Sequence, residues 1–300
     1  MASRLPSPPP SIIKMIARIR LCLREEPYFL LRGEKTVARR LFFCNDRERE
    51  FSSADSGRKR ADCMAQNKTI GIIGGMGPMA TVDLFRKIVD LTDSDTDRGH
   101  LRVVIDSNTN IADRTAAILH HGEDPLPEMV RAALNLERMG ADVLIMGCNT
   151  AHYFYPDICR FVRTPFLNML EETAKEAKRR GYSTVALLAT DGTVRSGVYE
   201  RAFQKEGVAL LIPPEEDQKE VMALIYEGIK AGKSVWDTEK INGALENLAA
   251  RGAKAVVLGC TELPLAFPRY GIQSPLSLLD PTEIVARSAI TFVGGKLRQD

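Results

Sequence analysis

The chain has 300 residues, of which 44% are hydrophobic and 27% charged, a composition that excludes a disordered or fibrous protein. No apolar run approaches the about 18 residues that span a bilayer, and six cysteines without a secretory signal sequence indicate a cytoplasmic protein. Residues 1–63 hold 14 Lys or Arg and 8 Asp or Glu, so the net charge of +2 divides into +6 for this segment and −4 for the remainder. The negative charge of the remainder argues against nucleic-acid binding.

Residues 1–63 show no regular order of strands, turns and helices. The segment begins with a proline-rich run and ends in a polar, charge-rich one. We expect a disordered or dispensable extension, because Met64 stands just before the first clear strand and would make a conventional start. The alternative is a basic targeting or anchoring arm, with basic side chains opposite apolar ones over residues 12–24.

From Lys68 onward, short β-rich apolar runs alternate with amphipathic stretches, which is typical of βαβ units and a parallel sheet. The predicted strands cover residues 69–73, 101–105, 143–146, 184–188 and 255–258. The predicted helices cover residues 80–91, 127–139, 171–180, 198–206, 218–231, 238–251 and 281–293.

An internal repeat relates two halves of this part of the chain. Residues 140–148 align with residues 252–260 without a gap, and residues 165–173 resemble residues 275–282. The repeat predicts an α/β fold of two similar, pseudo-symmetric, doubly wound domains with the active site in the cleft between them. We place the first domain at residues 67–164 plus 275–300, and the second at residues 165–274.

The repeat puts Cys148 and Cys260 in equivalent places, each after an apolar strand and a glycine. Residues just past the carboxyl end of a parallel strand project into the ligand crevice. Two buried structural thiols are the alternative, because free cysteine behaves as a small apolar residue. The symmetric pair favours a catalytic role over a structural one. Inverting a stereocentre requires one group to remove a proton from one face while another delivers a proton to the opposite face. A thiolate and a thiol can do this without a cofactor.

Two other kinds of site fit the sequence less well. Residues 75–80 match the weaker form of the dinucleotide fingerprint, G-x-G-x-x-A, but Pro78 removes one N–H group where a pyrophosphate would bind. Cys148 and His152 could join Cys260 and Glu262 in a zinc site, yet the usual close pairs of ligands are absent. We therefore expect no metal, and we interpret His152 as a support for Cys148.

Six segments, in order, resemble the aspartate racemases of the pyridoxal-independent aspartate/glutamate racemase superfamily. They are residues 70–78 (IGIIGGMGP), 110–115 (NIADRT), 146–152 (MGCNTAH), 196–199 (SGVY), 226–232 (YEGIKAG) and 259–262 (GCTE). The similarity runs from about residue 68 to residue 296, and residues 1–63 are not part of the family pattern.

The resemblance implies a two-domain α/β enzyme, usually a homodimer, that interconverts L- and D-aspartate with no cofactor. It implies that Cys148 and Cys260 are the acid–base pair. The other candidate residues bind substrate: Asn149, Thr150 and Thr261 the α-carboxylate, Arg114 and Lys230 the side-chain carboxylate, and in addition Met76, Thr190 and Thr193. The alternatives are a glutamate or broad-specificity racemase, and a non-catalytic small-molecule or nucleotide-binding protein of the same fold.

Overall fold

The computed structural model describes residues 68–299. The predicted extension, residues 1–63, lies outside the described residues, so that expectation stays a prediction. In the described part of the chain no helix is long and apolar enough to cross a membrane.

The strands form two parallel sheets. The first has the order β2-β1-β3, with β1 at Thr69–Gly74, β2 at Arg102–Ser107 and β3 at Val143–Met146. The second has the order β5-β4-β6-β7, with β4 at Thr184–Leu188, β5 at Ala209–Leu211, β6 at Ala255–Leu258 and β7 at Ser277–Leu279. Strands β1, β3 and β6 are buried along their whole length, which explains their nearly continuous apolar sequences. The predicted α/β class is confirmed.

Helices precede and follow these strands in alternation. They are α1 (Pro78–Leu91), α2 (Arg114–Leu119), α3 (Leu126–Arg138), α4 (Tyr155–Ile158), α5 (Met169–Arg179), α6 (Asp191–Arg195), α7 (Val198–Glu206), α8 (Glu215–Ala223), α9 (Glu239–Ala250), α10 (Leu263–Tyr270) and α11 (Pro281–Phe292). Short 3-10 turns lie at Asp97–Gly99 and Thr150–Phe154. A π-helical segment, Leu224–Lys230, follows α8 directly, so the helix predicted over residues 218–231 changes its winding midway.

The internal repeat is visible in the strand pairing. Leu144 of β3 forms a parallel bridge to Phe166, and at the equivalent positions of the repeat Val256 of β6 pairs with Leu278 of β7. Helices α5 and α11 also begin at equivalent positions of the two halves. The domain boundaries stay a prediction, although β7, which they assign to the first domain, pairs within the second sheet.

One hydrophobic cluster contains side chains from both sheets. Ile72 of β1, Ile145 of β3, Leu187 of β4 and Val257 of β6 all belong to it. Alternate residues of the second sheet, such as Leu188 and Leu258, belong to another cluster on the opposite face, as the two-residue period of a strand requires. The shared core packs the two halves against each other and holds the carboxyl ends of β3 and β6 in place.

Candidate active site

The two cysteines stand in equivalent positions at the carboxyl ends of their strands. Gly147 and Gly259 continue β3 and β6 by donating backbone hydrogen bonds to Ile73 O at 3.1 Å and Leu188 O at 2.7 Å. Cys148 and Cys260 follow directly, and each is 6% exposed. The chain therefore turns at the same point in both halves and presents one nearly buried thiol from each.

Both cysteines line a single cleft. Nine of the ten predicted site residues lie there: Met76, Arg114, Cys148, Asn149, Thr150, Thr190, Lys230, Cys260 and Thr261. Thr193 is not in the lining but contacts it through Thr150. The free space in the cleft is about 10 Å³, which is room for about one water molecule. In this conformation the cleft therefore has no room for a ligand larger than a water molecule.

Glu262 defines the surroundings of Cys260. The thiol of Cys260 donates to Glu262 Oε2 at 2.9 Å, and the hydroxyl of Thr261 donates to the same oxygen at 3.2 Å. Burial raises the pKa of Cys260 well above its ordinary value, and the carboxylate of Glu262 raises it further, while the charge of Lys230 opposes both. This environment favours the protonated form of Cys260.

Two cations border the cleft. Arg114 begins α2, and its Nη1 donates to the carbonyl oxygens of Ile111 and Ala112 at 3.3 and 3.0 Å. Burial alone lowers the pKa of Arg114, but its interaction with Cys148 and nearby anions outweighs burial and raises the pKa above its ordinary value. The Nε of Arg114 is buried and has no acceptor within residues 68–299.

Lys230, the second cation, ends the π-helical segment. Its ammonium lies 3.9 Å from Glu262 Oε1 and 4.6 Å from the centre of the Tyr226 ring. Burial lowers the pKa of Lys230, but Glu262, the cysteines and Tyr226 together raise it above its ordinary value. Lys230 is therefore a charged group that balances the anion at Glu262.

His152 supports Cys148 through the backbone, as the sequence predicted. Its Nδ1 lies 2.8 Å from the carbonyl oxygen of Cys148, and its Nε2 accepts a hydrogen bond from Met169 N at 3.2 Å. The proton therefore belongs on Nδ1. Burial lowers the pKa of His152 to about 4, so the ring is neutral near pH 7.

Hydroxyl groups join the turn after β3 to the turn after β4. Thr150 Oγ1 lies 2.8 Å from Thr193 Oγ1 and 3.0 Å from Thr190 Oγ1, and these two lie 3.1 Å apart. All three residues are buried. Thr190 also begins α6 by accepting from the backbone N–H of Thr193. This triangle fixes one wall of the cleft.

Two observations concern the alternative zinc and dinucleotide sites. In the described part of the chain no group of three or more His, Cys, Asp or Glu side chains could hold a metal ion. In the glycine-rich turn after β1, the N–H of Gly75 is occupied by Thr81 Oγ1 at 2.9 Å. The carboxylate of Glu262 lies beside Gly77 in the same turn, where it would repel a pyrophosphate.

Three residues of functional interest were not among the predicted site residues. Glu262 and Tyr226 line the cleft, and Tyr199 donates to Asn149 Oδ1 at 2.5 Å. Glu262 could have been predicted as a site residue, because it is a charged residue two positions after the cysteine at the end of a strand. Nothing in the local sequence of Tyr199 indicates a partner so distant along the chain.

The chain is similar to known racemases. A sequence model of the Asp/Glu/hydantoin racemase family matches residues 73–289. An aspartate racemase from Picrophilus torridus is 34% identical, with a TM-score of 0.65 over 77% of this chain and 96% of that one. An aspartate racemase homologue from Pyrococcus horikoshii is 28% identical, with a TM-score of 0.63 over 75% and 99%. The broad-specificity amino-acid racemase RacX from Bacillus subtilis is 28% identical over 228 residues, which cover 74% of this chain and 96% of RacX.

Proposed function

The chain belongs to the Asp/Glu/hydantoin racemase family and is an amino-acid racemase, and from this premise we propose that it interconverts L- and D-aspartate with Cys148 and Cys260 as the acid–base pair. The single observation that carries the proposal is the pair itself: two thiols at equivalent strand ends, equally exposed, line one cleft. A buried structural role would not require both to share a cleft with two cations.

The proposed reaction uses one thiolate and one thiol. In one direction Cys148, which interacts with Arg114, acts as the base in its thiolate form and removes the α-proton from one face of the substrate. The electron pair of the broken C–H bond passes into a carbanion or enolate of the α-carboxylate. Cys260, held as a thiol by Glu262, delivers its proton to the opposite face and becomes the thiolate. The reverse reaction begins with the protonation states exchanged.

The charges around the cleft support a dicarboxylic substrate. Buried donors need acceptors. Two residues of the cleft lining carry buried donors that have no partner among residues 68–299, namely Arg114 Nε and Asn149 Nδ2. Arg114 and Lys230 provide two positive charges at the cleft, and Glu262 lies 3.9 Å from the Lys230 ammonium. Aspartate brings a second carboxylate to this site, and a bidentate guanidinium contact suits it. Because the relative RacX is a broad-specificity amino-acid racemase, broad specificity is the competing proposal for this chain.

The two-thiol mechanism is tested by removing each sulfur in turn. We expect Cys148→Ala and Cys260→Ala each to lose at least about a thousandfold in kcat for aspartate racemisation, because each variant lacks the acid or the base for one face. Cys159→Ala is the matched control, since Cys159 is a free cysteine outside the cleft, and it should retain wild-type kinetics. Full activity in either Cys148→Ala or Cys260→Ala would contradict the two-thiol mechanism.

A further inference from the structure

Tyr199 is a buried residue of α7 that contacts the cleft only through another side chain. It is 1% exposed and is not part of the cleft lining. Its hydroxyl donates to the amide oxygen of Asn149, Oδ1, at 2.5 Å. Asn149 is also 1% exposed and does line the cleft.

This hydrogen bond determines how the Asn149 amide is oriented. A carboxamide has one oxygen, which accepts, and one nitrogen, which donates, so holding the oxygen directs the nitrogen to the other side. Asn149 Nδ2 is buried and finds no acceptor within the described part of the chain. A buried donor without a partner is destabilising, and a carboxylate that enters the cleft and accepts from Nδ2 removes that cost.

The position of the Tyr199 hydroxyl is set by the core rather than by the cleft. The ring belongs to the hydrophobic cluster shared by both sheets and packs against Phe203 one turn later on α7, with ring centres 5.9 Å apart. Because close-packed side chains have little freedom to move, the donor stays at a fixed point when the cleft opens for substrate.

We propose that Tyr199 is a positioning residue, which locks the Asn149 amide with Nδ2 toward the cleft so that it donates to a substrate carboxylate. The inference rests on the proposed function, because the acceptor is a carboxylate of the amino-acid substrate. It assigns Tyr199 no proton transfer. Removing its hydroxyl should weaken substrate binding and leave the two thiols as they are.

A double-mutant cycle on Tyr199→Phe and Asn149→Ala tests this, with the dissociation constant of DL-aspartate measured by calorimetry on the full chain. We expect Tyr199→Phe to weaken binding roughly tenfold, as loss of a hydrogen bond to a charged group does. We expect the double variant to bind within about twofold of Asn149→Ala, because the hydroxyl acts only through the amide. In turnover, KM should rise by the same factor with kcat and its pH profile nearly unchanged.

Tyr155→Phe is the matched control, since it also removes a tyrosine hydroxyl that donates a hydrogen bond, in this case to the backbone carbonyl oxygen of Phe166 at 2.7 Å. It should bind aspartate as the wild type does. A second measurement uses the wild type and does not depend on the folding of any variant. In NMR spectra of the full chain, the side-chain NH2 resonance of Asn149 should shift when aspartate is added. An unshifted resonance overturns the proposal, and so does a Tyr199→Phe effect that persists in the Asn149→Ala background.

The same data separate this inference from the proposed function. If the wild type racemises aspartate but the effects of Tyr199→Phe and Asn149→Ala on binding are additive, only the role of Tyr199 is overturned. Wild-type binding of aspartate without racemisation overturns the proposed function alone, and the cycle still decides the role of Tyr199. A wild type that binds no aspartate overturns both.

Discussion

Glu262 is the residue that makes the two cysteines unlike. Burial raises the pKa of Cys260, and the carboxylate of Glu262 raises it further by charge and by hydrogen bonding, while the charge of Lys230 opposes both. We expect Glu262→Gln to lower the apparent pKa of Cys260, because a neutral amide removes the repulsion between carboxylate and thiolate. The measurement is the rate of iodoacetamide alkylation of Cys260 against pH, resolved by peptide mass spectrometry.

Glu227→Gln is the control for this experiment, because Glu227 is an exposed glutamate three residues before Lys230. It should leave the alkylation profile of Cys260 where it is in the wild type. A profile that stays in place, or moves to higher pH, in Glu262→Gln would show that the carboxylate does not hold the proton on Cys260.

His152 makes the stability of the protein depend on pH. Burial lowers its folded-state pKa to about 4, whereas an unfolded histidine has a pKa of about 6.5. Between these values the unfolded chain binds more protons, so stability is fully present above about pH 6.5 and is lost as the pH falls toward 4. The contribution is about 3 kcal/mol over this window. Urea unfolding of the wild type and of His152→Gln at pH 7 and pH 5 measures it.

The glutamine amide can satisfy both partners of His152, the Cys148 carbonyl and the Met169 N–H, without titrating. We therefore expect His152→Gln to lose less stability between pH 7 and pH 5 than the wild type does. Equal losses in the two proteins would show that other groups cause the acid sensitivity.

At the scale of single residues, the sequence predicts positions that the internal repeat shows twice. It does not predict side-chain pairs whose members are distant along the chain. Cys148 and Cys260 were identified because the repeat shows the same strand end twice. Tyr199 and Asn149 lie far apart along the chain, and a side-chain pair of this kind depends on how α7 packs, which no local pattern records.

At the scale of the elements, Asp280 connects α11 to α1. Its Oδ1 accepts from Thr282 N at 2.9 Å and so caps α11, while its Oδ2 accepts from Lys87 of α1 at 2.6 Å. We expect Asp280→Ala to lower the free energy of unfolding by about 2 kcal/mol, since it removes the cap and leaves a partly buried lysine with one fewer anion. Urea denaturation measures the loss.

Asp280→Asn separates the two contributions, because the amide oxygen can still cap α11 while the charge opposite Lys87 is gone. The asparagine variant should lie between the wild type and Asp280→Ala. An asparagine variant as unstable as the alanine variant would assign the whole effect to the ion pair, and an alanine variant as stable as the wild type would contradict the connection.

Elements with a clear apolar pattern are predictable from the sequence, and very short helices are not. The predicted bounds of β3, β4, β6 and α7 agree with the structure, because the strands are short apolar runs and the helix has apolar residues at helical spacing. Helices α2 and α6, of six and five residues, are shorter than two helical turns, so no periodicity can show in them. The π-helical winding at Leu224–Lys230 has almost the same sequence pattern as an α-helix and was predicted as one.

At the scale of the whole molecule, duplication explains why one cleft holds two thiols. The repeated strand, β3 in one half and β6 in the other, carries a cysteine past the same end of each sheet. A nearly planar carbanion has two similar faces, and two similar halves can present one acid–base group to each. The halves differ in what surrounds each thiol, since Arg114 interacts with Cys148 and Glu262 accepts a hydrogen bond from Cys260.

The most direct test is proton NMR of the full chain with L-aspartate in D2O, combined with chiral analysis of the amino acid. We predict that D-aspartate forms and that, early in the reaction, it carries deuterium at the α-carbon while the remaining L-aspartate still carries protium, because different thiols serve the two faces. Deuterium entering L-aspartate as fast as D-aspartate forms would contradict the two-thiol mechanism. Exchange of glutamate or other amino acids, but not of aspartate, would contradict the proposed substrate.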